Sequence, residues 1–567
     1  MDRPRRRAAS CRWSAVFGAA ITITLGSGCP KPDEPMGDGT DGSSDGTTGG
    51  TTAAVDETSG MPVDVPARGI VISRVDVNSG VAITVAEGDT LLAPEDRSPI
   101  PKNRNTAVRV YVDIDEDVWV QRDIEARLTL VAPDGSEETM TLTETIAADS
   151  SETNLQSNFL FGATADLIVP DVAYRVALFE TGSDYETLPE PATAPAVPSS
   201  GTAYLGVQSS TQRMRVMLLP VQYSAPDGGS CETTIDTSEE NVARYADALF
   251  QHNPTEDVEI MVHEPWVIDD IDLSLTAPIY VLLTRLSQLR ADESPDPDVY
   301  YYALFDNCSA CITSDGTGGF NGCLLGVAAG IPEATQGAAA IRVAVGVQSS
   351  PSSDDSGIDT FVHEIGHGQG RNHVACPGQS AAAPEPGYPY DNGSIGVWGF
   401  GVLDFMIRNP SNHSDYMSYC TPTWASDWQW DATFSRIQTL SSWGFGTERQ
   451  VPPPGPEAVM LVGMLNPSTG EQHWWTDRGT LTAADYQSDA WPLAYVMHDG
   501  SRVSSTAAVN AWSEGPWVSV RAPLSPATAV SLQSVELTTA ARTLTVQASA
   551  IAGERMRKLR AAPEPLD

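Results

Sequence analysis

Three histidines and a glutamate fall within eleven residues of this chain, in the sequence HEIGHGQGRNH at 363–373. Residues four apart share one face of a helix, so His363 and His367 can direct imidazole nitrogens at a single ion. Glu364 is adjacent to the first ligand, and its carboxylate falls near an open coordination position. There it can accept a proton from a water on the metal. The pattern predicts a hydrolytic metal centre.

The third histidine requires a sharp turn after the helix. Gly370 has no β-carbon, so the chain can turn there and bring His373 back toward His363 and His367. Three neutral imidazoles leave a fourth position for water, which is the arrangement of a catalytic zinc site. Chance produces these three histidines and the glycine on the order of once in ten thousand such chains. We therefore predict one Zn²⁺; the alternative is an ordinary helix with surface histidines.

The segment resembles the zinc motif of the metzincin metallopeptidases, His-Glu-x-x-His-x-x-Gly-x-x-His followed by a methionine turn. The matching turn is DYMSY at 415–419, where the resemblance implies that Met417 forms an apolar floor under the ligands. Met406 is the competing methionine, but it lacks the Ser-Tyr that follows Met417. The Met-Ser-Tyr ending is similar to that of astacins and serralysins. It implies that Tyr419 ligates zinc and then stabilises the oxyanion, with a packed tyrosine as the alternative.

The resemblance covers about residues 210–445 and implies an uncommon branch of the clan. His373 is followed by Val374, where the best-known branches carry Glu, Ser, Asp or Pro. Substrate preference therefore does not transfer from those branches. The implied function is hydrolysis of peptide bonds in extracellular proteins. Two alternatives stay open: a surface binding or adhesion lipoprotein with a vestigial protease fold, and a protease specialised for glycosylated proteins.

Six cysteines follow Cys11 and Cys29, and an even number in an exported chain predicts three disulfides. A zinc or redox site at the CSAC sequence 308–311 is disfavoured, because no second pair follows at metal-ligand spacing. If both motifs wrap one zinc, as the resemblance implies, Cys376 and Cys420 are close enough to pair. The pairing of the other four stays open: Cys231, Cys308, Cys311 and Cys323.

The site must be positioned by the elements of residues 201–446. Apolar runs predict strands over 214–223, 258–262, 299–305, 324–328 and 341–347. Helical spacing predicts helices over 238–250 and 279–289, with a further helix beginning near Asp359. This order predicts an α/β metzincin-like catalytic domain, with a mixed β-sheet and an active-site helix.

Regions of β character flank the predicted catalytic domain on both sides. Residues 68–200 predict an N-terminal β-sandwich-like domain with strands over 107–113, 124–131 and 174–179, and a hairpin turn at 133–135. A Pro-rich linker at 447–457 precedes a C-terminal β-sandwich-like domain at 458–567. Its strands are expected over 459–464, 517–521 and 542–548. We expect no catalytic group from either flanking domain.

The N-terminus predicts export. Five arginines precede the apolar run 13–25, which is typical of a signal peptide at 1–28. Cys29 follows in LGSGC, an imperfect lipobox, so we predict lipidation there; cleavage near Gly28 to a free secreted protein is the alternative. Residues 29–67 are rich in Gly, Ser, Thr and Asp and predict a disordered acidic tether. Its Asp-Gly pairs lack EF-hand spacing, so structural Ca²⁺ has no support.

The charge balance limits the partners. The chain has 33 Lys and Arg against 74 Asp and Glu, a formal net charge of −41. Such an acidic surface repels phosphate backbones and anionic lipids, which disfavours nucleic acid as a partner. We expect a protein or peptide substrate, with a glycoprotein as one option, and membrane contact only through an N-terminal lipid. The predicted location is the outer membrane or cell surface, or the medium if the chain is secreted.

Overall fold

The computed structural model describes residues 64–309, 311–314, 323–348, 356–379, 383–444 and 458–552. The predicted signal peptide, Cys29, most of the tether and the linker at 447–457 lie outside these ranges. From Val65 onward the described residues pack as one compact unit. Among the helices in these ranges, none combines the length and the apolar character needed to cross a bilayer.

Two antiparallel sheets form the N-terminal region. In the strand Arg122–Val131 every second residue is buried, because alternate side chains point to opposite faces of a sheet. It forms a hairpin with Glu137–Ile146, and Gly135 turns the chain with a φ of +85°. The strands are β1 Ile70–Asn78, β2 Ala82–Glu87, β3 Thr90–Leu91, β4 Thr106–Ile114, β5 Arg122–Val131, β6 Glu137–Ile146, β7 Phe159–Ala163, β8 Ala173–Glu180, β9 Ala196–Val197 and β10 Ala203–Tyr204. The orders are β3-β2-β1-β4-β7 and β10-β8-β5-β6, with β9 on β8.

The central region contains a mixed sheet and four helices. The elements are β11 Arg213–Ser224, β12 Glu232–Thr234, α1 Glu239–His252, β13 Asp257–Val262, β14 Trp266–Ile268, α2 Thr276–Glu293, β15 Val299–Phe305, β16 Ile312–Thr313, β17 Cys323–Leu324, β18 Gly326–Ala328, β19 Val343–Val347, α3 Ser356–Gly368, β20 Gly399–Phe400, β21 Ile407–Arg408, β22 Ser414–Asp415, β23 Thr423–Trp424 and α4 Asp427–Ser442. The order is β12-β11-β15-β19-β18, and β13 and β14 also pair with β11. Strand β18 runs antiparallel to β19 and is the edge strand on the side of the sheet nearest α3.

Strand β15 explains why this sheet carries helices on both faces. All seven of its residues are buried. Tyr300 and Tyr302 lie in one hydrophobic core with Phe361 of α3. Tyr301 lies in a second core with Leu282 of α2. A strand covered on both faces is apolar at every position, which gives the continuous run seen in the sequence.

The strand predicted over 324–328 is divided in the structure. Strand β17 pairs with β16, whereas β18 pairs with β19. Leu325 separates them, and its carbonyl accepts a hydrogen bond from the Val347 amide at 2.8 Å. The two short strands therefore serve two different sheets.

The C-terminal region is one eight-stranded sheet with a short helix. The elements are β24 Val459–Leu465, β25 Gln472–Arg478, β26 Ala490–Met497, β27 Arg502–Ala511, β28 Val518–Leu524, α5 Pro526–Ser531, β29 Leu532–Thr538, β30 Thr543–Gln547 and β31 Ile551–Ala552, in the order β30-β29-β26-β27-β28-β24-β25-β31. The sheet packs on the central region through α2. There the Tyr280 ring lies 5.7 Å from that of Trp512 and 6.0 Å from that of Trp517, measured between centroids. The β27–β28 connection lies next to β18, where the Ser513 amide donates a hydrogen bond to the Ala328 carbonyl oxygen at 3.1 Å.

Candidate metal centre

Helix α3 and the turn after it bring the three histidines together. His363 and His367 lie one helical turn apart on α3, and His373 returns after Gly370, whose φ is +81°. The three residues are buried, with exposed fractions of 8%, 0% and 1%. One nitrogen of each imidazole lies within 4.8 Å of the others. The cluster can therefore hold a metal ion.

Backbone carbonyls orient two of the imidazoles. The Nδ1 of His363 lies 2.9 Å from the Tyr416 carbonyl oxygen, and the Nδ1 of His367 lies 2.8 Å from that of Arg371. Because a carbonyl only accepts, each Nδ1 carries the proton and each Nε2 presents a lone pair. The Nε2 atoms of His367 and His373 are 3.1 Å apart. Two nitrogens bound to one tetrahedral zinc are separated by about 3.3 Å, so this spacing fits a shared ion.

Burial keeps His363 and His367 in the neutral form, which is the form that binds a metal. Desolvation, with a smaller contribution from His373, lowers the pKa of His363 to about 3. The pKa of His367 is held well below its usual value, again mainly by desolvation. The Nε2 of His363 is buried and has no hydrogen-bond partner among the described residues. A buried, neutral nitrogen that offers its lone pair close to two other imidazole nitrogens forms, together with them, a site that a cation fits.

Glu364 lies beside the edge strand β18. A β-carbon at Gly326 would lie 2.8 Å from both Cγ and Oε1 of Glu364, so the glycine makes room for this side chain. The carboxylate is buried, and within the described ranges its Oε2 has no hydrogen-bond partner. Desolvation, followed by the charge of Glu514, raises its pKa well above the usual value. An oxygen in this environment is well suited to accept a proton.

Met417 lies directly under α3. It is fully buried, and a β-carbon at Gly366 would overlap its Sδ atom. The turn that carries it is held by Asp415, whose Oδ1 accepts a hydrogen bond from the Met417 amide at 2.8 Å. The competing Met406 is 58% exposed. Of the two methionines, Met417 therefore contacts the helix that carries the histidines.

Tyr419 reaches the cluster together with a residue that the sequence did not indicate. Its hydroxyl lies 2.8 Å from His373 Nε2 and donates a hydrogen bond to Glu514 Oε1. Glu514 belongs to the C-terminal region, and its Oε1 lies 3.3 Å from His373 Nε2. No local spacing could have indicated Glu514, because it approaches from a different sheet. We expected no catalytic group from that region, yet its carboxylate lies in this site.

Three disulfides are present, and the pair expected from the resemblance is among them. Cys376 and Cys420 are joined, which links the segment after His373 to the Met417 turn. The same two segments are joined by a hydrogen bond from the Val374 amide to the Met417 carbonyl oxygen, at 2.8 Å. The other two pairs, left open by the sequence, are Cys231–Cys308 and Cys311–Cys323.

Removal of the disulfide beside the site is expected to weaken both the fold and metal binding. The bond joins positions 44 residues apart, and loss of a native disulfide costs about 2–5 kcal/mol in the free energy of unfolding. The double variant Cys376→Ala/Cys420→Ala also frees the segment that follows His373. Denaturant unfolding and a zinc competition titration measure the two effects.

The matched control is Cys231→Ala/Cys308→Ala, whose positions are 77 residues apart. It should also lower the free energy of unfolding, while zinc affinity stays near that of the wild type. Equal losses of zinc affinity in both double variants would show that the Cys376–Cys420 bond has no specific effect on the metal centre.

Substitution of Gly370 is expected to be costly for two separate reasons. Its φ of +81° disfavours any β-carbon. A β-carbon there would also overlap the Arg436 guanidinium and lie 2.9 Å from the Pro332 carbonyl oxygen. We expect Gly370→Ala to lower the free energy of unfolding by about 2–4 kcal/mol.

Gly378 provides the control, because its φ is +79° and nothing lies within 4 Å of an added β-carbon. Gly378→Ala should cost only the conformational part, about 1–2 kcal/mol. Denaturant unfolding of both variants separates packing from backbone strain. Equal losses would mean that overlap of the added β-carbon with Arg436 and Pro332 does not contribute to the loss of stability at Gly370.

Comparisons with known proteins leave the family unassigned. No protein-family model matches the chain, and no curated protein matches it. Among solved structures, one described as "putative beta-galactosidase from bacteroides fragilis" aligns at 10% identity with a TM-score of 0.13. The alignment covers 84% of this chain and 72% of that one. A TM-score this low supports no inference about fold or function, so function rests on the site.

Proposed function

We propose that this chain is a zinc-dependent metalloendopeptidase of the metzincin type, exported to hydrolyse peptide bonds of extracellular proteins. One observation carries the proposal: three buried imidazoles come together, and the residue next to the first of them, Glu364, has a buried Oε2 with no hydrogen-bond partner among the described residues. Three neutral imidazoles suit Zn²⁺, whereas Ca²⁺ takes oxygen ligands. The full eleven-residue motif and the placement of Met417 under α3 add support.

The residues of the site would divide the work of peptide hydrolysis. When bound, zinc would lower the pKa of a coordinated water and polarise the scissile carbonyl. His363, His367 and His373 would hold the ion, with the tautomers of the first two fixed by backbone carbonyls. Glu364 Oε2 would accept the proton of the attacking water and pass it to the leaving amine nitrogen.

Tyr419 would donate a hydrogen bond to the carbonyl oxygen as negative charge develops there. Its hydroxyl lies 2.8 Å from His373 Nε2, close to the reacting atoms. That donation requires Tyr419 to release Glu514, to which its hydroxyl is now bonded. Displacement of Glu514 would therefore be needed for Tyr419 to act in catalysis.

Export and anchoring belong to the same proposal. Three disulfides favour an oxidising compartment. The arginine-rich N-terminus followed by an apolar run supports a signal peptide. Lipidation at Cys29 stays a prediction, which mass spectrometry of the membrane fraction would test.

The experiment is zinc analysis of the purified full chain combined with hydrolysis of casein and of a glycoprotein, each before and after chelation. We expect one zinc per chain, and cleavage that is lost to chelator and restored by zinc. Cleavage of the glycoprotein alone, abolished by deglycosylation, would favour the specialised protease. A folded chain that holds no zinc and cleaves neither substrate would overturn the proposal and favour the binding or adhesion alternative.

A further inference from the structure

A carboxylate from the C-terminal sheet lies against the histidine cluster. Glu514 is in the connection between β27 and β28, and its side chain is 10% exposed. Its Oε1 lies 3.3 Å from His373 Nε2 and accepts the hydrogen bond of the Tyr419 hydroxyl. For a tetrahedral zinc, a nitrogen and an oxygen bound side by side are about 3.3 Å apart. Glu514 Oε1 therefore has the spacing from His373 that a second ligand of the same ion would have.

The neighbouring residue, Ser513, pairs with the edge strand beside Glu364. The Ser513 amide donates to the Ala328 carbonyl oxygen at 3.1 Å, and the Ala328 amide donates to Ser513 Oγ at 2.9 Å. Both groups of Ala328 belong to β18, whose Gly326 contacts Glu364. An exposed sheet edge is where an extended peptide adds as a strand. Ser513 occupies that edge next to the proposed general base.

The loop that carries these two residues is firmly held. The indole of Trp512 donates to Ser519 Oγ at 2.8 Å, and Ser519 Oγ donates to the Ala329 carbonyl oxygen at 2.6 Å. At the tip, a β-carbon on Gly515 would overlap the Tyr280 hydroxyl, so the loop is tightly packed against α2. These contacts fix where the Glu514 carboxylate points.

Burial of this carboxylate as an anion needs an opposite charge to offset its desolvation. Removing an ion from water costs several kcal/mol unless a partner compensates. A divalent ion held by the three histidines, of which His373 Nε2 lies 3.3 Å from Glu514 Oε1, would supply that charge. The same ion would also accommodate the Nε2 lone pairs of His363 and His367, which their Nδ1 hydrogen bonds direct inward.

We propose that Glu514 is a fourth protein ligand of the metal, and that the loop at 513–515 holds the enzyme in a self-inhibited state. Three histidines and a carboxylate complete a tetrahedral set, which takes the position that the reacting water needs. Ser513 at the same time covers the edge strand. The ligand assignment rests on the histidine site alone, whereas the inhibition rests on the proposed function.

The test compares Glu514→Gln with wild type in the full chain loaded with Co²⁺. Glutamine keeps the size of the side chain but loses the anionic donor. We expect a changed visible absorption spectrum of the bound Co²⁺ and a loss of Zn²⁺ affinity of about tenfold or more in a competition titration. The value of kcat/KM for peptide hydrolysis should rise about tenfold or more, because the position opposite the histidines opens to water. Glu471→Gln, at an exposed position in the turn before β25, should change none of these.

Each outcome decides a different point. Unchanged spectra and affinity would overturn the ligand assignment, whatever happens to cleavage. A changed spectrum with no cleavage by any variant would keep the ligand and overturn the peptidase. A changed spectrum with cleavage at the wild-type rate would overturn the inhibition alone, and a wild-type chain that binds neither Co²⁺ nor Zn²⁺ would overturn both proposals. If Glu514→Gln fails to fold, Glu514→Asp, which retains the charge and withdraws the carboxylate, must still shift the spectrum.

Discussion

Glu364→Gln is expected to lower kcat/KM for peptide hydrolysis by about 10²–10⁴-fold while zinc content stays at the wild-type level. Glutamine fills the same space beside Gly326, but its amide cannot accept the proton of the attacking water. Burial raises the pKa of Glu364, so in the metal-free chain its charged form destabilises the fold at neutral pH. Without metal, the variant should therefore keep or raise the Tm. Steady-state kinetics, elemental analysis and thermal unfolding measure the three quantities.

The control is Glu240→Gln, an exposed residue in the first turn of α1, which should leave kcat/KM unchanged. Retention of most peptidase activity by Glu364→Gln would assign the proton transfer to another group. A loss of zinc in parallel with activity would mean that Glu364 supports the ligands rather than the chemistry. A Tm no lower than that of the wild type, together with an unchanged zinc content, is therefore needed to assign the loss of activity to the chemistry.

The parts of the fold that the sequence predicts well are those with a local pattern. Strand β15 has the predicted bounds 299–305, because a strand buried on both faces is apolar at each position. The helix predicted over 238–250 forms as α1, and Ser238 caps it by accepting a hydrogen bond from the Asn241 amide. The spacing of His363 and His367 likewise needs only one turn of helix to bring them together.

The parts that the sequence could not predict depend on contacts between distant segments. Glu514 enters the site because aromatic packing on Tyr280 places the β27–β28 connection against β18. No periodicity in residues 502–524 encodes that docking. The pairing of Cys231 with Cys308 has the same character, since it depends on how two loops meet. Local patterns indicate the three histidines, whereas tertiary contacts determine which other residues, such as Glu514, lie beside them.

His367→Gln is expected to lower zinc affinity by about 100-fold or more and to abolish most of the stabilisation that zinc provides. His367 is fully buried, and its Nε2 lies 3.1 Å from that of His373. Its substitution therefore removes one of the three nitrogen atoms that would bind the metal. Zinc at 100 times its Kd stabilises the folded state by about 2.7 kcal/mol. Titration with a competing chelator, and unfolding with and without zinc, provide the measurements.

His263 offers the matched control, because it is partly exposed and bonded to Glu293 at 2.7 Å, outside the three-histidine cluster. His263→Gln should keep the zinc affinity and the zinc-dependent rise in Tm of the wild type. Residual weak binding in His367→Gln would agree with Glu514 acting as a ligand, since two histidines and a carboxylate would still face the ion. Wild-type affinity in His367→Gln would instead place the metal away from the three histidines and remove the basis of the proposed function.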